Sequence, residues 1–404
     1  MRPAHLLTVT AVLLAINVAM AMAQRPGAFD QSLNHPAIQY RTADTHTVVD
    51  ALNQKLANRS ASLRFEPQTG YLKSVLDLLN IPVESQVLVY TQTSLQARHV
   101  RTDNPRAIYF NDVASVAYIR GAGLLEIVAQ DPAMGSVFYT MRQEPVASAT
   151  FGRDQQCLSC HVSWDTLAVA GQTILSTFPR KDDNDYANGF AVDHYRPIED
   201  RWGGWYVTGK RVPARHAGNL PLFLPTRPVT PPPARVSLDG QVDMTGYLTP
   251  YSDVVSLMVL DHQVHLVNLF TRATWESRVG VAARVAEAAE AIVEYMLYVD
   301  EAPIVDGPIV GSSGFAEQFT AAGLRDANGR SLRDLDLKTR LQKYPLSYMI
   351  DSPSFQALPP PVKDLVMGKI TRVLAGEETG LKFAHLTPAV RQALAEILKT
   401  TLPL

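Results

Sequence analysis

Short runs of β-branched and aromatic residues, each closed by Asn, Asp, Gly or Pro, dominate the first half of the chain. By this pattern strands are expected at 86–90, 107–110, 116–119, 125–128 and 137–141. The segment Asp131-Pro132-Ala133-Met134-Gly135 predicts the turn between the last two, because proline suits a corner and glycine takes positive φ freely. Further strands are expected at 172–178, 189–193 and 204–208. Ahead of them the period lengthens. Helices are predicted at 47–57 and 71–79, the second with Leu72, Val75, Leu76 and Leu79 on one stripe, and this pair is expected to cover the sheet.

Prolines then interrupt both periods. Pro213, Pro221, Pro225, Pro228 and Pro231 to Pro233 rule out helix and inner strand, so the stretch is expected to run extended over the surface or between domains. Beyond it the helical period returns: Ser252 is expected to cap a helix to about 274, Gly280 to interrupt it, and an alanine-rich helix to fill 281–298. A further helix is expected at 361–374, stopping near Gly376, and Thr387-Pro388 opens a last one to about 399. The fold class is therefore α+β: a mainly antiparallel sheet domain over 24–210, a Pro-rich linker over 211–250 and a helical region over 251–404.

Length agrees with two core-forming regions, since 404 residues with 46% hydrophobic content exceed one small domain. The 37 basic and 39 acidic residues leave a net charge of -2, which recommends neither nucleic acid nor an anionic membrane as partner. Residues 1–23 read as a signal peptide: Arg2, an apolar run over 6–20, then Ala21-Met22-Ala23, with cleavage before Gln24. A retained membrane anchor is the competing reading of the same segment. The later apolar stretch 254–270 contains Asp261, His262, Gln263 and His265, which are costly in lipid, so no span is expected after cleavage. The expected location is periplasmic or extracellular.

The chain has two cysteines, Cys157 and Cys160, spaced three apart and followed at once by His161. That is the spacing for c-type haem attachment: two thiols within about one turn of chain reach the two vinyl groups, and the next residue offers its imidazole as proximal ligand to the iron. A disulfide and a zinc fragment compete. Zinc wants a second ligand pair, and Leu158 and Ser159 lack the aromatic and proline neighbours of thioredoxin-type dithiols. One covalent haem c is the reading, held by Cys157, Cys160 and His161. Strands precede the motif, which separates the chain from the mostly helical small cytochromes.

Taken with the haem motif, the stretches 104–111, 125–131, 201–209 and 252–262 resemble secreted bacterial proteins of the cytochrome-c-domain-containing family. More distantly, strands flanking a c-type motif are similar to PAS-like haem domains of bacterial signalling proteins. The resemblance covers most of the chain after the leader and implies a monohaem protein without naming its role.

Three roles remain open at this stage. The first is one-electron transfer between redox partner proteins, which requires the fewest extra residues. The second is a haem enzyme of the peroxidase sort or a gas or redox sensor with an exchangeable sixth ligand. The third is a haem that serves as a structural staple. Arg98, Arg101 and Arg106 lie in a loop before a strand and are candidates for haem propionates, with plain solvent exposure as the alternative. Trp202, Trp205 and Tyr206 are candidates for packing on the haem or for ordinary core. No methionine lies between Met141 and Met244, so a distal histidine is the better expectation for the sixth ligand. His216 ranks first because its loop is long enough to fold over the iron, His262 second and Met258 third, with His194 also in range. Met258, His262 and His265 recur at i, i+4 and i+7 and share one helix face.

Overall fold

The computed structural model describes residues 32–177, 189–221 and 234–401; the expected leader and the prolines from Pro225 to Pro233 lie outside the described residues. Helix α1 (Val48–Ala57) starts where Thr47 provides a capping box: its hydroxyl accepts from the Asp50 N–H and the Asp50 carboxylate accepts from the Thr47 N–H. Helix α2 (Leu72–Leu79) stops at Asn80, which takes the left-handed conformation.

The sheet is an antiparallel meander of β1 (Val87–Val89), β2 (Arg106–Phe110), β3 (Ala114–Tyr118), β4 (Leu124–Asp131), β5 (Gly135–Arg142) and β6 (Gly152–Arg153), neighbours in sequence being neighbours in space. The β4–β5 turn is the expected one: the Asp131 carboxylate accepts from the Ala133 and Met134 N–H groups, both at 2.8 Å, and Gly135 has φ +80°. A short pair, β7 (Leu175–Thr177) and β8 (Gly189–Ala191), follows.

Period-two alternation divides the main sheet into two faces. Ala107, Tyr109, Val116, Leu125, Ile127, Val137 and Tyr139 pack in one cluster with Leu52, Leu72, Val75 and Leu76 of the first two helices. On the opposite face Val87, Val89 and Phe110 join a second cluster with the C-terminal helices. These are α3 (Val254–Val279), α4 (Ala282–Met296), α5 (Phe315–Ala321), α6 (Pro360–Ala375) and α7 (Pro388–Thr401). The sheet is thus covered on both sides.

Three local expectations change. Residues 204–208 do not form a strand: they touch β1 through a single bridge, Val89 to Trp205, and then turn to pair Thr208 with Asp253. Positive φ at Trp202 and Gly204 bends the chain out of ladder geometry. The described part of the linker after the prolines is not extended, since Leu238, Val242 and Tyr247 are buried and the Tyr247 hydroxyl donates to the Pro105 carbonyl at 2.7 Å. Asp253, not Ser252, caps α3; Ser252 instead links β1 to the 204–208 segment, accepting from the Leu88 N–H and donating to the Tyr206 carbonyl.

The Asp253 carboxylate is fully buried and accepts from Val255 and Ser256 at the helix start and from the Ser312 N–H, the Ser313 N–H and the Ser313 hydroxyl. These donors, with the positive end of the helix dipole, take the place of a cation. On the far side of α3 a polar and aromatic stack is sealed from water: His194 lies on Tyr295 at 3.8 Å between ring centres, and His262 Nδ1 sits 3.1 Å from His194 Nδ1 while its Nε2 meets the Ser347 hydroxyl at 2.8 Å.

Asp253→Ala removes the cap and orphans the two serine N–H groups together, so the midpoint of urea unfolding should fall by the equivalent of about 3 kcal/mol. Burial, then the neighbouring His265, lowers the His262 pKa to about 3. The unfolded chain therefore binds the extra proton first, and the His262 contribution to stability is lost as pH falls from about 6.5 towards 3. Asp261 acts with opposite sign, because burial pushes its carboxyl up to about 7 and its contribution is lost as pH rises through that value. Comparing urea midpoints of wild type and His262→Gln between pH 7.5 and 4.5 isolates the first effect: the wild type should lose stability more steeply towards acid, and parallel curves would contradict the assignment.

Candidate functional site

Residues 154–161 leave the sheet edge at β6 and fold back across the face opposite α1 and α2. The Asp154 carboxylate accepts from the Gln156 N–H at 2.9 Å, starting a tight turn that leads into one helical turn, Leu158–His161, with Cys157 at its N-cap. Spacings of three and four place Cys157, Cys160 and His161 along one side of this turn. All three line one cleft with a cavity volume of about 180 Å³.

The floor of the cleft is the sheet face opposite α1 and α2. Arg106 and Ile108 of β2, Ser115 and Ala117 of β3, Glu126 and Val128 of β4 and Phe138 of β5 line it, mostly at alternate positions. Register aligns them in rows: Ile108 opposite Ala117, Ala117 opposite Glu126, Ser115 opposite Val128, Val128 opposite Phe138. The central strand contributes two small side chains, and that is what leaves room above it. Leu260 and Val264, one turn apart on α3, face the cleft, and Gln172, Thr173 and Ile174 form a wall.

His161 is half-buried, its ring 4.6 Å from that of Phe138. Its Nδ1 is 2.9 Å from the Gly171 carbonyl oxygen. A carbonyl accepts only, so Nδ1 carries the proton and Nε2 is left as the basic nitrogen. Burial lowers the pKa of the ring to about 4, the Gly171 carbonyl works against that, Arg106 lowers it further and Glu126 raises it. A neutral imidazole with Nδ1–H committed to a carbonyl is the form that ligates a metal. The Cys157 thiol is pushed up to about 12 by burial, with Asp154 and Glu126 adding to the effect, while Cys160 is exposed.

Arg106 stands 3.5 Å from the Glu126 carboxylate, both side chains about five-sixths buried at 16% exposure. Its Nε is buried without a hydrogen-bond partner. A buried guanidinium N–H left unpaired at the edge of an apolar cleft is a costly feature that an anionic group entering the cleft would relieve. Arg98 and Arg101 do not share this position: both are exposed, the first against His99 and the second paired with Asp103 at 2.9 Å.

The expected distal ligands are placed elsewhere. His216 is buried with its ring 6.1 Å from that of Trp202 and does not line the cleft. Met258 and His262 do share a face of α3, as their spacing implies, but Leu260 and Val264 occupy the face towards the cleft, about 200° around the helix. His194 belongs to the stack with Tyr295. Trp202 and Trp205 are core, in the cluster with the helices, and Tyr206 packs on Tyr90. Among the described residues that line the cleft, His161 is the only histidine or methionine. Glu126 and Phe138 escaped the sequence reading, although their alternation along β4 and β5 marks the face they occupy. Gly171 carried no sequence signal at all.

The residues present fit a c-type haem: two thiols and an oriented imidazole from one turn, an apolar slot between sheet and helix, and an Arg106 Nε–H without a partner for a carboxylate. Compared with family models, with curated proteins and with solved structures, the chain matches none.

Proposed function

We propose that this chain is an exported monohaem protein in which Cys157 and Cys160 hold one haem c by thioether bonds, His161 is the proximal ligand and Arg106 receives a propionate. The observation that carries the reading is the His161 to Gly171 contact inside the cleft lined by both cysteines, since it fixes the tautomer whose Nε2 is the ligating nitrogen. Bound there, the group would supply one-electron redox chemistry and could take a small ligand at its iron. The chain's own part is to exclude water with Leu260, Val264 and Phe138, to hold His161 neutral and oriented, and to offer the Arg106 guanidinium to an anion.

Two roles follow from two observations. The cleft offers no second histidine or methionine among its described lining residues, which favours an exchangeable sixth position and hence binding of a diatomic gas or a peroxide. Exposure of Cys160, and of Leu95 at the rim, favours the second reading, one-electron transfer, because an edge of the group then lies near the surface for a redox partner.

The tether is tested by producing the chain with its leader in a periplasm equipped for c-type maturation, then denaturing it and extracting with acidified organic solvent. Colour should stay with the protein and its mass should include one haem. Cys157→Ser and Cys160→Ser should each weaken retention, and His161→Ala should keep the tether while altering the spectrum; colour lost to the solvent from the wild type would end the proposal.

The role is tested by adding carbon monoxide to the ferrous protein. Rapid binding at one equivalent is expected for an open sixth position, whereas a six-coordinate low-spin spectrum that carbon monoxide leaves unchanged would assign the protein to electron transfer.

A further inference from the structure

The carbonyl that orients His161 belongs to the peptide unit joining Gly171 to Gln172, and the other end of that unit is held from α3. The Gln172 N–H donates to Asn268 Oδ1 at 3.0 Å, and Asn268 Nδ2 donates back to the Gln172 carbonyl at 2.7 Å. Asn268 is 1% exposed, so this pair of bonds is closed to water. A trans peptide is planar, with C=O and N–H pointing in opposite directions. Fixing the N–H against Asn268 therefore aims the carbonyl at His161 Nδ1, and hydrogen bonding at one end of the unit polarises the other.

The loop between is closed at its ends, the Gly171 N–H donating to the His161 carbonyl at 3.0 Å. A Cβ built on Gly171 would lie 2.3 Å from Asn268 Oδ1, so the close approach of loop and helix requires glycine here.

We propose that Asn268 is a positioning residue for the axial ligand: through the Gly171–Gln172 peptide it sets the direction and strength of the hydrogen bond to His161, and so the basicity of Nε2 towards iron. The proposal rests on the haem reading above. Outer partners of a metal-bound imidazole act in this way, a stronger acceptor at Nδ1–H making the ligand more electron-rich and the oxidised metal more stable.

The test compares reduction potential and the ferrous spectrum of the wild-type holoprotein with Asn268→Ala, Asn268→Asp and Leu266→Ala, covalent haem being measured by mass in each. Asn268→Ala should keep its haem and raise the potential by about 59 mV, a tenfold change in the ratio of reduced to oxidised protein for one electron. Asn268→Asp, which keeps an oxygen for the Gln172 N–H, should return the potential towards wild type. Leu266→Ala, a core truncation on the other side of α3, should lower the unfolding midpoint and leave the potential unchanged. Gly171→Ala drives a Cβ against the Asn268 amide, displaces the same peptide by another route and should shift the potential in the same direction if Asn268→Ala does not fold. A haem-loaded Asn268→Ala with wild-type potential and spectrum overturns the positioning role. A wild-type chain without covalent haem overturns instead the reading on which it rests.

Discussion

Helix α3 has almost no surface. Of its 26 residues 21 are buried, and they include Ser256, Asp261, His262, Gln263, Asn268, Thr271, Thr274 and Glu276. A polar group taken out of water costs free energy unless a partner replaces the water, so most of these side chains dictate where some other segment must lie. Ser256 donates to the Ser85 carbonyl before β1, and Gln263 bridges the Asn111 carbonyl and the Tyr348 hydroxyl. Asp261 takes the Trp202 indole N–H, His262 takes Ser347, and Asn268 takes the main chain of Gln172. The apolar residues between them would pack in many ways. The polar ones select the single arrangement in which sheet, loop and helices meet around this axis.

The cleft follows from that arrangement and from one economy in the sheet. Where α1 and α2 cover the sheet its side chains are large, as with Tyr109, Tyr118 and Tyr139. On the opposite face the central strand carries Ser115 and Ala117, and Leu260 and Val264 stay above them without filling the gap. Replacing either small residue by a large one would close the slot while leaving the ladder intact. The feature therefore belongs to residue size at two positions, not to the backbone.

Much of the fold was legible because its signals are local. Alternation fixed β2 to β5 to within a few residues, the Asp131-Pro132 turn behaved as its residues require, and Gly280 ended α3 in the left-handed conformation. The 204–208 segment has strand composition yet fails as a strand, because its ladder is cut short by a bend that composition does not encode. Phe315–Ala321 passed unnoticed for the opposite reason: seven residues are two turns, too few for a period to show. The structure puts the motif cysteines, His161 and Arg106, all singled out in the sequence, on one cleft. The histidines proposed as distal ligands were not placeable by the same logic. A helix buried on every side has no polar face to show which way it is turned, so the shared face of Met258 and His262 was correct while its direction was not. Asn268 was invisible because its role is exercised on main-chain atoms of another segment.

The composition of α3 has a further consequence. It is long and apolar enough, by length and composition alone, to cross a membrane, and 94% of its most apolar window is buried inside the protein. If the chain is exported unfolded through a secretion channel, as proposed above, such a segment would risk lateral release into the bilayer. An aspartate near the middle of a span costs about 2.5 to 3.5 kcal/mol on insertion scales, and histidine and glutamine add to it. Under that proposal Asp261, His262 and Gln263 would act twice: first as the polar interruption that lets translocation run on to the end, and afterwards as the groups that order the core.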